Sequence, residues 1–166
     1  MTHVDTTLAY LAGIVDGEGY IGIKKSKAYR CQDRKTPGYH ARIQVRMNVR
    51  AAVGLLKDTF GGSFHREREN IGLTGMWCWS TSDKQAAAAL AKLLPYLRVK
   101  RRQARNALVL RRLQARRQRH KTKVTGARNF PNKYGTPRSI AITTFSDEYV
   151  GWCEKIWMKG KSLNGR

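Results

Sequence analysis

The sequence predicts an α+β fold in the order α-β-β-α-β-β-α, with one antiparallel four-stranded sheet and further C-terminal helices. Three observations predict it. Apolar residues recur at helical spacing near the N-terminus, over residues 50–60 and again after Ser82. Residues 41–47 alternate strictly, with Arg42, Gln44 and Arg46 on one face and Ile43, Val45 and Met47 on the other. Glycine punctuates these stretches at Gly17, Gly19, Gly61 and Gly62.

Each element follows in turn. Asp5 or Thr6 can N-cap a first helix whose stripe is Leu8, Leu11, Ala12 and Val15. It must stop at Gly17-Glu18-Gly19. Residues 20–27 read as a strand, 29–38 as a polar basic loop and 41–47 as the second strand. A helix over about 50–60 ends at Gly61-Gly62. Strands at roughly 63–69 and 76–80 follow, joined by residues 70–75. The pattern leaves the face of Trp77 and Trp79 open, with core expected for at least one. Ser82-Asp83-Lys84-Gln85 forms a capping box before an Ala/Leu helix that ends before Pro95. A basic helix over about 100–119, a long basic loop over 120–138 and a helix opened by Ser146-Asp147-Glu148 complete the chain. Residues 1–119 are expected to form the core, and 120–166 a basic loop and helix of the same domain.

Composition narrows the function. Among 166 residues, 33 Lys+Arg against 11 Asp+Glu give a net charge of +22, while 41% hydrophobic residues exclude a disordered basic tail. No apolar run approaches the ~20 residues that span a bilayer, so no membrane partner is expected. Met1-Thr2-His3-Val4-Asp5 lacks a basic segment followed by an apolar one, which predicts an intracellular, non-secreted protein. Cys31, Cys78 and Cys153 contain no Cys-x-x-Cys, arguing against a zinc knuckle or disulfide scaffold. A charge this large implies a polyanionic partner, and no acid interrupts the stretch between Asp83 and Asp147. Composition alone does not separate a ribosomal-type RNA binder from a DNA enzyme. The polar face of the second strand is more specific. Arg42, Gln44 and Arg46, joined by Arg66 and Arg68 from the third strand, have bidentate options at guanine and adenine edges.

Leu11-Ala12-Gly13-Ile14-Val15-Asp16-Gly17-Glu18-Gly19 carries the chemistry. It puts two carboxylates at the C-terminal end of a helix, where the macrodipole disfavours each by ~0.3–1 kcal/mol. Something positive is therefore expected there. A carboxylate beside an exposed backbone carbonyl suits Mg²⁺, which binds substrate phosphate as well. Ala12 and Gly13 leave the helix smooth enough for another backbone to approach.

This segment resembles the signature of the LAGLIDADG homing endonucleases, with five of nine positions identical. The element order resembles that family's core, and Leu94-Pro95-Tyr96-Leu97-Arg98-Val99-Lys100-Arg101-Arg102-Gln103-Ala104 resembles its segment after the second strand pair. The likeness covers most of residues 8–113. It implies a sequence-specific double-stranded DNA endonuclease of intron or intein mobility, hydrolysing phosphodiesters with Mg²⁺, with Mn²⁺ substituting and Ca²⁺ supporting binding without turnover. By position, Glu18 is the metal-binding acid and the Gly17 carbonyl its neighbour. Lys100 tends the water network and the phosphate. Where the family often has glutamine at the second strand's end, this chain has Met47 or Asn48, and Asn48 is the one that can hold a water. Lys24, Arg101 and Arg102 would position phosphates, with Arg50 a further contact. The motif occurs once, so a homodimer on a pseudo-palindromic site is implied, packed through Leu11, Ala12, Gly13 and Asp16. No small-molecule cofactor is expected. A non-cleaving nucleic-acid binder, maturase-like or regulatory, is the alternative, separated by a plasmid digest with Mg²⁺ or EDTA.

Overall fold

Strands β1 (Gly19–Ser26), β2 (Gly38–Met47), β3 (Ser63–Arg66) and β4 (Trp77–Ser82) form one antiparallel sheet in the order β1-β2-β4-β3. The computed structural model describes residues 3–27, 36–67, 75–122, 127–131, 137–141 and 144–165. Around the sheet run α1 (His3–Glu18), α2 (Arg50–Phe60), α3 (Asp83–Leu93), α4 (Arg101–Ala115) and α5 (Asp147–Leu163). The predicted order and fold class are those observed.

Alternation along the strands decides the layering. Ile21, Ile43, Val45 and Trp79 are fully buried beneath the helices, with Leu11, Ala12 and Val15 of α1 and Leu90 and Leu93 of α3. Burial of each large apolar side chain contributes roughly 1.5–3 kcal/mol. Trp79 belongs to this core, and its indole N–H donates to the Gly61 carbonyl at 2.6 Å. Trp77, on the same face, is half-buried and stacks on Phe64. Gly61 and Gly62 have φ of 69° and 93°, the left-handed backbone that turns α2 into β3. A second cluster, Ile23, Tyr39, Leu110, Tyr149 and Cys153, joins α5 to the far end of β1, β2 and α4.

Several local expectations are corrected. Helix α1 begins before Asp5 and Thr6, so neither caps it; Asp5 instead accepts the Tyr96 hydroxyl at 2.7 Å. The capping box does not close. Ser82 makes no side-chain cap bond, because Asp83 sits at φ 52° and Gln85 turns away to the Phe60 carbonyl at 3.0 Å. Helix α4 stops at Ala115 rather than 119. The expected basic loop contains short strands, β5 (Lys121–Thr122), β6 (Ala127–Pro131) and β7 (Pro137–Ala141); β5 pairs with β8 (Thr144–Phe145), and β6 with β7. The linker 29–35, the end of the third predicted strand and most of residues 70–75 lie outside the described residues. No helix among the described residues is long and apolar enough to cross a membrane.

Candidate active site and nucleic-acid interface

The last turn of α1 exposes carbonyls with no helical partner. Lys100 answers them: its ammonium donates to Val15, Asp16 and Gly17 carbonyl oxygens at 3.0, 2.6 and 3.2 Å. Asp16 completes the clamp from the other side, its carboxylate accepting the amides of Arg98, Val99 and Lys100 at 2.6, 3.1 and 2.9 Å. Burial works to raise the Asp16 pKa, but these three N–H bonds and the Lys100 charge hold it below the usual carboxylate range. Burial depresses the Lys100 pKa, with Asp16 and Glu18 pulling the other way. The positive group expected at this helix end is therefore Lys100.

Glu18 closes α1 and is exposed, and Gly19 opens β1 directly behind it. Gly19 has no room for a side chain, since a Cβ would lie 2.5 Å from the Val15 carbonyl oxygen. The first rung of the β1–β2 ladder is Gly19↔Val45, so β2 runs on past this junction to its end at Met47, and Asn48 follows just beyond the strand. Met47 packs against the core and Asn48 is exposed. The exposed Glu18 carboxylate and the adjacent Gly17 carbonyl are oxygen donors of the kind a hard divalent cation takes, whereas the Val15 and Asp16 carbonyls are held by Lys100 at 3.0 and 2.6 Å.

The polar face of the sheet starts at the same end. Ladder register aligns Tyr20, Gln44, Ser80 and Ser63 in one row, and Lys24 with His40 further along. Lys24, His40, Arg42, Ser80, Ser82 and Gln85 line a cleft of about 520 Å³. Arg42 and Gln44 thus share the face expected of them with Lys24. Arg46 is there too but is committed to Glu67, its Nε donating to Oε2 at 2.9 Å. Arg66 is not on this face: it pairs across from Trp77, on the side of Phe64 and the helices, because His65 takes the intervening outward position. Arg68 lies outside the described residues. Arg101 and Arg102 are exposed at the start of α4, Arg101 also bonding the Leu94 and Pro95 carbonyls at 3.4 and 3.2 Å. Arg50 lies over the Trp77 ring, 5.2 Å from its centroid.

The interface residues need a correction as well. Leu11 and Ala12 are fully buried in this chain's own core, and Asp16 is occupied with the α4 approach. The outward face of α1 carries Thr6, Tyr10, Gly13 and Gly17, with open space beyond both glycines. Sequence reasoning missed Ser63, His65, Cys78 and Ser80 on the polar face. The alternation Trp77-Cys78-Trp79-Ser80 was the available signal, once Trp79 is assigned inward.

Compared by sequence, the chain matches no protein-family model and no curated protein. Compared by structure, it is similar to the homing endonuclease I-CvuI in complex with the I-CreI target, in the presence of magnesium and with the DNA not cleaved. That likeness has a TM-score of 0.58 at 20% identity, covering 93% of this chain and 96% of that one. The archaeal intron-encoded homing endonuclease I-Vdi141I, complexed with DNA, gives 0.53 at 16% identity over 67% and 70%. The LAGLIDADG homing endonuclease I-GzeII, in complex with its DNA target, gives 0.52 at 15% identity over 65% of this chain and 36% of that one. The chain has the LAGLIDADG homing endonuclease fold. Within that fold the signature helix is α1, and its terminal acid, Glu18, stands where helix, sheet and basic α4 converge.

Proposed function

We propose that the protein is a metal-dependent, sequence-specific endonuclease acting on double-stranded DNA as a homodimer. The observation that carries this reading is the end of α1, where Glu18 adjoins three carbonyls gathered around the Lys100 ammonium. Its likeness to DNA-bound homing endonucleases supports the choice of DNA.

Glu18 and the Gly17 carbonyl would hold Mg²⁺, which, when bound, lowers the pKa of a water and neutralises charge on the phosphate. The Gly17 carbonyl is the one Lys100 holds most loosely, at 3.2 Å. Lys100, its three N–H donors taken by the Val15, Asp16 and Gly17 carbonyls, would act on the scissile phosphate as a fixed positive charge rather than as a hydrogen-bond donor. Asp16 keeps Lys100 in place through the backbone and does not touch substrate. Asn48, at the exposed end of β2, orients a water. Arg42 and Gln44 read base edges in the major groove, while Lys24, Arg101 and Arg102 position the backbone. Mn²⁺ substitutes for Mg²⁺, and Ca²⁺ supports binding without turnover.

Cutting both strands requires two such sites. Tyr10, Gly13 and Gly17 offer a face on which a second α1 can lie closely, bringing two Glu18 carboxylates near a two-fold axis and selecting a pseudo-palindromic target. Glu18→Gln is the test. Cleavage of the cognate site falls by orders of magnitude at any Mg²⁺ concentration, while binding in Ca²⁺ survives because it rests on many cation–phosphate contacts. Full cleavage by that variant overturns the metal site. A wild-type protein that binds DNA but never cuts it with Mg²⁺ is a non-cleaving binder instead.

A further inference from the structure

We propose that His65, Glu67 and Cys78 form a second metal site, of the zinc class, on the polar face of the sheet. Among the described residues these are the group whose ligand atoms, a ring nitrogen, a carboxylate oxygen and a sulfur, all lie within 4.8 Å of one another. A tetrahedral site with arms of about 2.0–2.3 Å spaces its ligand atoms by about 3.3–3.8 Å, so small side-chain rotations complete it.

The scaffold is stiff where it must be. His65 and Cys78 are direct cross-strand partners on β3 and β4. Glu67 is fixed by its amide, which donates to the Met76 carbonyl at 2.8 Å. The outer groups are also in place. Both Arg46 bonds go to Oε2 of Glu67, which orients the carboxylate and leaves Oε1 to the metal. Gln44 Nε2 donates to the Cys78 sulfur at 3.3 Å, which fixes the side of the sulfur from which a metal can approach. Cys78 is only 1% exposed although it lies on the polar face, covered by these neighbours.

On binding, Cys78 gives its thiol proton to solvent, His65 ligates as neutral imidazole and water takes the fourth position. A nitrogen–oxygen–sulfur set favours Zn²⁺, Co²⁺ or related ions over Mg²⁺, so the site is chemically distinct from the oxygen cluster at the end of α1. Its metal would also hold Gln44 and Arg46 in fixed poses.

The full-length chain, stripped by dialysis against a chelator, is titrated with Co²⁺. Expected is one equivalent per chain with a near-ultraviolet sulfur-to-cobalt band, bleached by Zn²⁺ and untouched by excess Mg²⁺. The oxygen cluster near Glu18 cannot produce that band, so its occupancy does not confuse the result. Cys78→Ser loses the band and Cys31→Ser keeps it. His65→Ala, at an exposed edge-strand position, retains the wild-type circular dichroism and weakens Co²⁺ binding by at least ~10-fold. Absence of a sulfur band at stoichiometric Co²⁺ overturns the proposal, as does a band undiminished in Cys78→Ser or unweakened binding in His65→Ala.

Discussion

At the end of α1, Asp16 and Lys100 make six hydrogen bonds to backbone groups, three each. The polar face of the sheet, by contrast, is organised by side chains that bond one another, Arg46 with Glu67, Gln44 with Cys78 and His40 with Asp83. The first region settles orphan backbone groups that exist whatever the side chains do, so its geometry is part of the fold. The second region holds side chains that can be exchanged without moving a strand. The chemistry of the proposed enzyme sits on the rigid part and its recognition on the replaceable part.

Breaking the clamp should have the largest effect. Asp16→Ala leaves the amides of Arg98, Val99 and Lys100 to water and removes the negative charge near the Lys100 ammonium, whose bonds to the backbone carbonyls remain. A loss of ~2–3 kcal/mol is expected, given charge-assisted bonds of ~1.5–3 kcal/mol each and partial replacement by solvent. Urea unfolding measures it, and cleavage should decline in parallel. An unchanged midpoint would mean that water serves these amides equally well.

Gly19→Ala strikes the junction of the two regions. A Cβ 2.5 Å from the Val15 carbonyl oxygen forces α1 and β1 apart, at a cost of ~1–3 kcal/mol. Because Val15 is one of the carbonyls that Lys100 holds, the cleavage rate should fall more than DNA affinity. Equal losses in both would place the damage in the sheet instead.

The same division explains what the sequence could reveal. Periodicity showed the order of elements, the inward face of β2 and the span of α2, because burial imposes those patterns locally. Glu18 and Lys100 were singled out through the resemblance, and the macrodipole called for a positive group at the helix end, where the structure places Lys100. Arg66 was misplaced because a register depends on the partner strand: only the pairing of His65 with Cys78 shows which side chains face out. Leu11 and Ala12 were assigned to a partner surface when they serve the core, since an apolar stripe does not say which neighbour covers it. Tertiary bonds hid the failed capping box in the same way, Gln85 finding the Phe60 carbonyl instead.

On the sheet face, Gln44→Ala should leave stability within about 0.5 kcal/mol. Preference should relax at one base pair by ~1–3 kcal/mol, the usual worth of a bidentate contact. Cleavage of a library randomised at each target position reads this out. An unchanged profile at every position removes Gln44 from the readers.

Glu154 provides the smallest and sharpest contrast, because it is charged like Asp16 but held by side chains like the sheet face. It accepts from the Tyr39 hydroxyl and from Lys25 at 2.8 Å, tying α5 to β1 and β2. Burial tends to raise its pKa, yet the bonds from Lys25 and Tyr39 and the Lys25 charge bring it below the ordinary value of 4.5. A carboxylate whose folded pKa is depressed contributes stability that is full above its unfolded value and is lost as pH falls through the folded one. Glu154→Gln keeps an acceptor for Tyr39 but cannot ionise. Wild type should therefore exceed the variant by a constant margin above about pH 5.5, and the margin should shrink below the ordinary glutamate value of 4.5. Paired urea titrations between neutral pH and pH 3 would show it. A margin that widens on acidification would reverse the sign and mean that Glu154 is held as the neutral acid, with Lys25 contributing nothing to it. A margin that narrows ties α5 to the sheet through a charge, by a contact that Asp16-type backbone clamping does not need.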